Sequence, residues 1–231
     1  LCKTLAEMNR LSKGRFHCAL SVSGIMLEML EQYAPEMIDI LKELAATGCV
    51  EFVVTPYAYS LANVYSETEA AEQLQSQQAL VKQLLGVEST TAGLTELLYS
   101  DEIAIQLHNM GFKTVMTEGA KHILSWKSPN YVYSSSAAPK LKVLLRNITL
   151  SDELAFHFSD STWHNFPMDA EKFATALATL PEEEQVVNIW VGAETFGIRQ
   201  SAASGIFDFL KALPYYAMEQ EMGFMTPSEV A

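Results

Sequence analysis

The sequence predicts an α/β protein whose sheet is mainly parallel. This fold class is predicted by the alternation of short apolar runs of strand length with helical segments along all 231 residues. No segment repeats at a fixed period. Helices between strands are typical of crossover connections, which join parallel neighbours. Because 49% of the residues are hydrophobic and no stretch has the composition of a linker, we expect a single domain, 1–231, with one large core.

Six runs are strand candidates, one fewer than a seven-stranded barrel needs. In chain order they are residues 16–22, 50–54, 90–95, 113–116, 142–145 and 186–191. The last, Val186-Val187-Asn188-Ile189-Trp190-Val191, is the clearest candidate. Its nearly continuous apolar character is typical of a buried parallel strand.

Capping residues and helix breakers set the bounds of the predicted helices. Ser66-Glu67-Thr68-Glu69 is a capping box that opens a long helix ending at Gly86. Asp169 caps a later helix that runs to residue 180, and Pro214 is expected to stop a helix over 206–213. The other helices are predicted at 5–11, at 25–33, from Pro35 to its cap at Gly48, and at 101–110.

Charge and cysteine content exclude several classes of partner. The net charge is −13 and no Lys/Arg cluster interrupts it, so no nucleic-acid partner is predicted, whereas a neutral sugar needs no positive surface. The three cysteines form no CxxC pair and are expected to be reduced thiols of a cytoplasmic protein. No run approaches the roughly 18 apolar residues of a membrane span, and no signal peptide is visible, so no membrane partner is predicted.

Two carboxylates follow predicted strands at distant points of the chain. Glu194 lies in Val191-Gly192-Ala193-Glu194-Thr195-Phe196-Gly197, and Glu96 lies in Gly93-Leu94-Thr95-Glu96-Leu97. α/β folds carry their chemistry at the C-terminal ends of strands, and a pair of carboxylates there suggests glycoside hydrolysis. The alternatives are that Glu96 is a solvated loop acid and that Glu194 is a helix-capping or surface acid.

Four further side chains are candidates for substrate binding. Trp126, Trp163 and Tyr59 lie in turn-rich regions, where aromatic rings either stack on sugar faces or pack against the protein. Asp152 is a further candidate acid, with the alternative that it opens a short helix. The histidines have no metal-ligand spacing, and the sequence has no nucleophile elbow, phosphate-binding loop or dinucleotide fingerprint. Neither a metal nor a cofactor is therefore predicted.

Taken together and in order, several segments resemble glycoside hydrolase family 57. They are Gly48-Cys49-Val50-Glu51-Phe52, Leu94-Thr95-Glu96-Leu97, Thr117-Glu118-Gly119-Ala120, Trp126-Lys127-Ser128-Pro129-Asn130, Leu150-Ser151-Asp152-Glu153-Leu154-Ala155-Phe156, Ala170-Glu171-Lys172-Phe173, Glu194-Thr195-Phe196-Gly197 and Gly205-Ile206-Phe207-Asp208-Phe209-Leu210. The set covers nearly the whole chain. Each segment is weak by itself, and the ordered set is fairly specific.

The resemblance implies an incomplete seven-stranded (β/α) barrel and α-glucan chemistry by a retaining mechanism, in which two carboxyl groups stand roughly 5–5.5 Å apart. It puts Glu96 at the position of the family's nucleophile. The acid/base Asp is expected two residues before Glu194, where this sequence has Gly192. Glu194 itself matches a neighbouring acid of the site. Where related amylases carry a Glu and a His after the second strand, this sequence has Thr55 and Tyr59.

An α-glucan or a maltooligosaccharide is therefore the expected partner, and hydrolysis or glucanotransfer is expected to be weak or lost, because Gly192 cannot donate a proton. One alternative is a non-catalytic, amylase-like protein that binds α-glucan. A remote alternative is a polysaccharide deacetylase, which shares a related barrel but needs an Asp/His metal set that is not found in the sequence. The family's His-Gln-Pro motif on the first strand is absent and the chain opens at Leu1 without Met, so we expect an N-terminally incomplete chain. The sequence gives no prediction of oligomeric state.

Overall fold

The computed structural model describes residues 1–184 and 186–231, and parallel strand pairs form its framework. The strands are β1 (Cys18–Ser21), β2 (Val50–Val53), β3 (Thr91–Gly93), β4 (Thr114–Glu118), β5 (Val132–Ser134) and β6 (Lys142–Arg146). β1 pairs in parallel with β2, and β3 pairs in parallel with β4. A four-stranded sheet has the order β3-β4-β6-β5, in which β5 is antiparallel to β6.

Single bridges continue the parallel pairing beyond these strands. Val54, the residue after β2, bridges Ala92 of β3, and its N–H donates to the carbonyl of Thr91 over 2.9 Å. Arg146, the last residue of β6, forms a parallel bridge with Asn188. The predicted α/β fold with parallel strands is thus confirmed, whereas the incomplete seven-stranded barrel stays a prediction.

Helices follow most strands, as predicted from their caps. They are α1 (Cys2–Leu11), α2 (Gly24–Tyr33), α3 (Pro35–Ala46), α4 (Ala62–Tyr65), α5 (Glu67–Leu85), α6 (Asp101–Asn109), α7 (Lys121–Leu124), α8 (Ile148–Asp152), α9 (Ala170–Ala178), α10 (Ile206–Glu219) and α11 (Pro227–Val230). The Ser66 hydroxyl accepts the Glu69 N–H at 3.2 Å, and Gly86 closes α5 in the left-handed conformation (φ 74°). Only glycine adopts that conformation freely, which is why the long helix ends there.

Contacts divide the chain into two units. The first unit comprises Leu1–Phe16, Gly119–Tyr131 and Arg146–Phe224, and the second comprises His17–Glu118, Val132–Leu145 and Met225–Ala231. In the first unit, the ring of Phe209 packs edge-on against Phe158 and Phe173, with ring centroids 5.2 and 5.6 Å away. The second unit has its own apolar core, which includes the fully buried side chains of Leu27, Leu41, Leu44, Leu74 and Leu107. The expected single domain stays a prediction.

The predicted strand over 186–191 is wrong as a continuous strand, because only Asn188 forms a bridge. Side chains form hydrogen bonds with backbone groups of Trp190 that would otherwise pair with a neighbouring strand. Arg146 Nε donates to the carbonyl of Trp190 over 2.7 Å, and the Trp190 N–H donates to the Ser151 hydroxyl over 3.1 Å. With both of its backbone polar groups satisfied in this way, Trp190 is not available to continue a β-ladder.

The predicted stop at Pro214 is also wrong, since α10 continues through it to Glu219. Proline removes one helical hydrogen bond and crowds the preceding turn. Here Pro214 is buried on the same helix face as Ile206, Leu210 and Ala217, so packing of that face compensates for the lost bond. Two smaller differences concern strands: β3 is shorter than the predicted 90–95, and the short antiparallel β5 was not among the predicted strands.

The last helix, α11, is joined by hydrogen bonds to β2 and to the residue just before β1, all within the second unit. A capping box of Thr226 and Glu229 opens α11. The N–H and hydroxyl of Ser228 both donate to the carboxylate of Glu51 in β2, over 2.8 and 2.7 Å. His17 Nδ1, just before β1, lies 2.8 Å from the Glu229 carboxylate. Residues from opposite ends of the sequence thereby close this part of the second unit.

Candidate active site

Glu96 lies directly beyond the C-terminal end of β3, in a one-turn 3₁₀ helix over Thr95–Leu97. Its backbone is left-handed (φ 55°, ψ 24°), and so is that of Leu97 (φ 53°). Non-glycine residues rarely adopt this conformation, and the strain clusters at functional sites. Two strained residues in succession at this position are the strongest structural sign of a site in the second unit.

Hydrogen bonds from two threonines hold the Glu96 turn in place. The Thr95 hydroxyl donates to the carbonyl of Ser60 over 2.8 Å. The Thr117 hydroxyl, in β4, donates to the carbonyl of Leu97 over 2.7 Å. Thr95 and Leu97 are buried while Glu96 between them is exposed, so the frame directs the carboxylate outward. Sequence analysis gave neither threonine a role, although both stand in segments that carry the family resemblance.

Tyr59 lies in the loop that the Thr95 hydroxyl contacts. Its neighbour Ser60 accepts that hydrogen bond, which brings the Tyr59 loop and the Glu96 turn together within the second unit. Tyr59 is itself left-handed (φ 52°), and half of its side chain is exposed. In the same loop the Thr55 side chain is buried, and its hydroxyl has no hydrogen-bond partner among the residues that the structure describes.

Glu194 lies in the first unit, in a one-turn 3₁₀ helix that spans Ala193–Thr195. Arg199 Nη2 lies 3.3 Å from Glu194 Oε1, and the backbone N–H of Arg199 donates to the backbone carbonyl of Glu194 over 2.8 Å. The guanidinium carbon of Arg199 lies 5.0 Å from the centre of the Phe156 ring, within the range of a cation–π contact. Sequence analysis missed Arg199, although it stands only five positions after Glu194.

The Glu194 side chain folds back over Gly192. A Cβ built on Gly192 would lie only 2.3 Å from each oxygen of the Glu194 carboxylate. Real Cβ atoms do not approach other heavy atoms so closely, so the carboxylate takes the space where any side chain at position 192 would begin. The position of the Glu194 carboxylate therefore depends on residue 192 being glycine.

Asp152 ends α8 and directly precedes a one-turn π helix over Glu153–His157, which its side chain does not cap. Its carboxylate forms a short ion pair with Arg146, whose Nε also donates to the carbonyl of Trp190. Arg146 thus joins β6, α8 and the segment that leads to Gly192. The Asp152 carboxylate thus orients the Arg146 guanidinium, and its part in substrate binding stays a prediction.

The two tryptophans have different surroundings, although both belong to the first unit. Trp126 follows α7 and is 87% exposed, so both faces of its indole are open to a ligand. Trp163 stacks on His157 with ring centroids 3.9 Å apart and planes 8° from parallel. A hydroxyl and an N–H from Thr162 lower the pKa of Asp160 in this turn. One face of Trp163 is therefore occupied by protein, and Trp126 is the better candidate for sugar stacking.

Within 1–184 and 186–231, no group of three His, Cys, Asp or Glu side chains could hold a metal ion. In the same part of the chain no helix is long and apolar enough to cross a membrane. Of the predicted site residues, two lie in the second unit, Glu96 and Tyr59. The others lie in the first unit: Gly192, Glu194, Asp152, Trp126 and Trp163.

Comparison with known proteins gives consistent results. The sequence model of "Glycosyl hydrolase family 57" matches residues 3–231. A protein of Methanocaldococcus jannaschii named "Putative alpha-amylase" is 36% identical over 217 residues, which are 93% of this chain and 46% of that protein. The chain thus spans about half the length of this curated relative.

Two solved structures share the fold. The 4-alpha-glucanotransferase from Thermococcus litoralis superposes with a TM-score of 0.78 at 17% identity, over 99% of this chain and 35% of that one. A GH57-type branching enzyme from Pyrococcus horikoshii superposes with a TM-score of 0.72 at 14% identity, over 99% of this chain and 63% of that one. At these identities the likeness concerns the fold alone.

Proposed function

This chain belongs to glycosyl hydrolase family 57, and on that premise we propose that it is part of a protein that processes α-glucans by a retaining mechanism, with Glu96 as nucleophile. The observation that carries the proposal is the strained, buried frame that presents the exposed Glu96 carboxylate beyond β3. The names of the amylase relative and of the glucanotransferase and branching-enzyme structures support the same substrate class.

In this mechanism the Glu96 carboxylate attacks the anomeric carbon and forms a glycosyl ester, while a second carboxyl group protonates the departing oxygen. Water or a sugar hydroxyl then takes the glycosyl group, which gives hydrolysis or transfer. At position 192 this chain has glycine, so the family's proton donor is missing there. General acid catalysis contributes about 10²–10⁴-fold, so we expect weak turnover of starch and maltooligosaccharides.

Substrate binding is proposed to use exposed aromatic rings. Trp126 offers an open indole face, and half-exposed Tyr59 is tied by Ser60 to the Glu96 turn. Apolar sugar faces stack on such rings. We further propose that the parallel sheet belongs to an incomplete seven-stranded (β/α) barrel in a single domain, and that the protein is cytoplasmic, with Cys2, Cys18 and Cys49 as thiols.

Mechanism-based labelling tests the proposal. A 5-fluoroglycosyl fluoride forms a slowly hydrolysed ester with the nucleophile of a retaining enzyme, and mass spectrometry then locates it. We expect a label on Glu96 that is lost in Glu96→Gln and kept in Glu43→Gln, a change of an exposed acid on α3. Binding of maltoheptaose without any label in the unchanged protein would instead favour the alternative, an α-glucan-binding protein without catalysis. Absence of both label and binding would refute the proposal.

A further inference from the structure

We infer that Gln73 is a positioning residue for sugar binding, whose side-chain oxygen fixes the loop that carries Tyr59; the inference rests on the proposed function. The loop begins with a tight turn, in which the Tyr59 N–H donates to the Pro56 carbonyl over 2.8 Å. Tyr59 itself is left-handed (φ 52°), and a residue with a Cβ keeps that conformation only where its surroundings hold it. Two of the contacts that hold it come from a single atom of α5.

The amide oxygen of Gln73 accepts a hydrogen bond from the residue on each side of Tyr59. The Ala58 N–H donates to Gln73 Oε1 over 3.2 Å, and the Ser60 hydroxyl donates to the same atom over 3.0 Å. The carbonyl of Ser60 accepts the Thr95 hydroxyl over 2.8 Å. A continuous series of hydrogen bonds therefore leads from Gln73 through Ser60 to the turn that holds the proposed nucleophile.

Glutamine is the side chain that position 73 requires, because its partners need an acceptor and a donor together. Gln73 Nε2 donates to Glu69 Oε1 over 2.7 Å, one turn earlier on the same helix. With the amide reversed, its NH₂ group would face the Ala58 N–H and its oxygen would face a carboxylate, so the partners determine its orientation. A glutamate here could accept both hydrogen bonds from the loop but would repel Glu69. A methionine of similar length offers only a weak acceptor.

Tyr57 holds the start of the same loop against α2. A Cβ built on Gly24 would lie only 2.3 Å from the Tyr57 ring, so the ring packs directly on the glycine backbone. The Ile25 N–H donates to the Tyr57 carbonyl over 3.2 Å, and a hydrogen bond to the Glu28 carboxylate raises the pKa of the Tyr57 hydroxyl. These contacts fix the beginning of the loop, whereas the hydrogen bonds from α5 flank Tyr59.

This arrangement holds Tyr59 without burying it. Half of its side chain is exposed, so part of the ring is open to a ligand. A loop that is already ordered loses less conformational entropy when a sugar binds, and the affinity for the sugar is higher for that reason. Gln73 should therefore act on glucan affinity, and it should act through Tyr59.

Calorimetric titration with maltoheptaose tests this coupling. We expect Gln73→Met and Tyr59→Ala each to weaken binding about 3–10-fold, and the variant with both changes to bind as Tyr59→Ala does. A glutamine that only stabilised the fold would lower the Tm without such coupling, and any two losses of affinity would multiply. The matched control is Gln75→Met, a change of an exposed glutamine two positions further along α5, which should bind as the unchanged protein does.

Exchange of the two α5 side chains gives the second test. Gln73→Glu alone should weaken binding, because two carboxylates then face each other one turn apart, whereas Glu69→Gln together with Gln73→Glu restores a donor and an acceptor and should recover the affinity to within about twofold. Unchanged affinity in Gln73→Met or Tyr59→Ala, losses that multiply, or no recovery in the exchanged pair overturns the role of Gln73 and leaves the proposed function standing. Absence of both maltoheptaose binding and a Glu96 label in the unchanged protein refutes both.

Discussion

The hydroxyl of Thr117 donates to the carbonyl of Leu97 across 2.7 Å, and this bond ties β4 to the residue that follows Glu96. Both residues are buried, so the bond is shielded from water. It holds one side of a turn in which two non-glycine residues are left-handed. The neighbouring strand thus supports the position from which the Glu96 carboxylate is exposed.

Replacing Thr117 with Val should destabilise the protein and impair labelling of Glu96. Val keeps the shape but leaves the buried Leu97 carbonyl unsatisfied, which costs about 1–3 kcal/mol. Urea denaturation measures the free energy of unfolding, and the rate of ester formation at Glu96 measures the effect on the turn. Thr175→Val, an exposed change on α9, is the control and should alter stability by less than about 0.5 kcal/mol. Equal stability of both variants would show that the bond contributes nothing.

The Glu96→Gly variant should have a higher free energy of unfolding than the Glu96→Ala variant. The left-handed backbone at Glu96 (φ 55°) costs residues with a Cβ about 1–2 kcal/mol, and glycine avoids that cost. We expect Glu96→Gly to unfold at higher urea concentration than Glu96→Ala, although both remove the carboxylate. The reverse order would mean that the turn is not left-handed in solution.

The contacts of Glu229, which join α11 to the rest of the second unit, should weaken in acid. Burial of Glu229 raises its pKa, but hydrogen bonds from the Thr226 N–H and from His17 outweigh this, and the pKa is lowered from its ordinary value of 4.5. A lowered pKa in the folded state means stabilisation that is full above the unfolded pKa and lost as pH falls through the folded one. The Tm difference between the unchanged protein and Glu229→Gln, measured from neutral pH downward, should therefore be present at pH 7 and disappear in acid. A difference that grows on acidification would contradict the assignment.

The two tryptophans should respond to alanine substitution in opposite ways. Trp126→Ala should leave the Tm unchanged, because the side chain is 87% exposed, and should weaken maltoheptaose binding about 3–10-fold through loss of stacking. Trp163→Ala should lower the Tm, because it removes the ring that stacks on His157, and have less effect on binding. Calorimetric titration and thermal unfolding measure the two effects. Unchanged maltoheptaose affinity in Trp126→Ala would exclude that ring from the binding surface.

Some helix ends were predictable from sequence, although the one expected at Pro214 was wrong, whereas the geometry of the candidate site was not predictable. Ser66 and Gly86 act through local backbone chemistry, which spacing reveals. The segment 186–191 has the composition of a strand, but Arg146 and Ser151, distant in sequence, take its hydrogen bonds. Competition for hydrogen bonds from residues distant in sequence cannot be detected in the hydrophobic periodicity of the segment.

The same limit applies to the two carboxylates. Their residues could be named from motifs, since Glu96 and Glu194 follow apolar runs. The left-handed turn at Glu96 and the closure of Glu194 over Gly192 depend on contacts with Thr117 and Arg199 that no local pattern encodes. Sequence therefore predicts the identity of the candidate residues, and the structure adds what holds them.

The fastening of the last turn has a consequence for biosynthesis. His17 and Glu229 are 212 positions apart, and Glu51 and Ser228 are 177 apart. A ribosome therefore exposes β1 and β2 long before their C-terminal partners emerge. During that interval the nascent chain presents these strand ends unprotected to chaperones and proteases, and contacts of such separation form late and slowly. Translation speed over the segment that encodes α11 should thus matter more for this protein than for one whose contacts are all local.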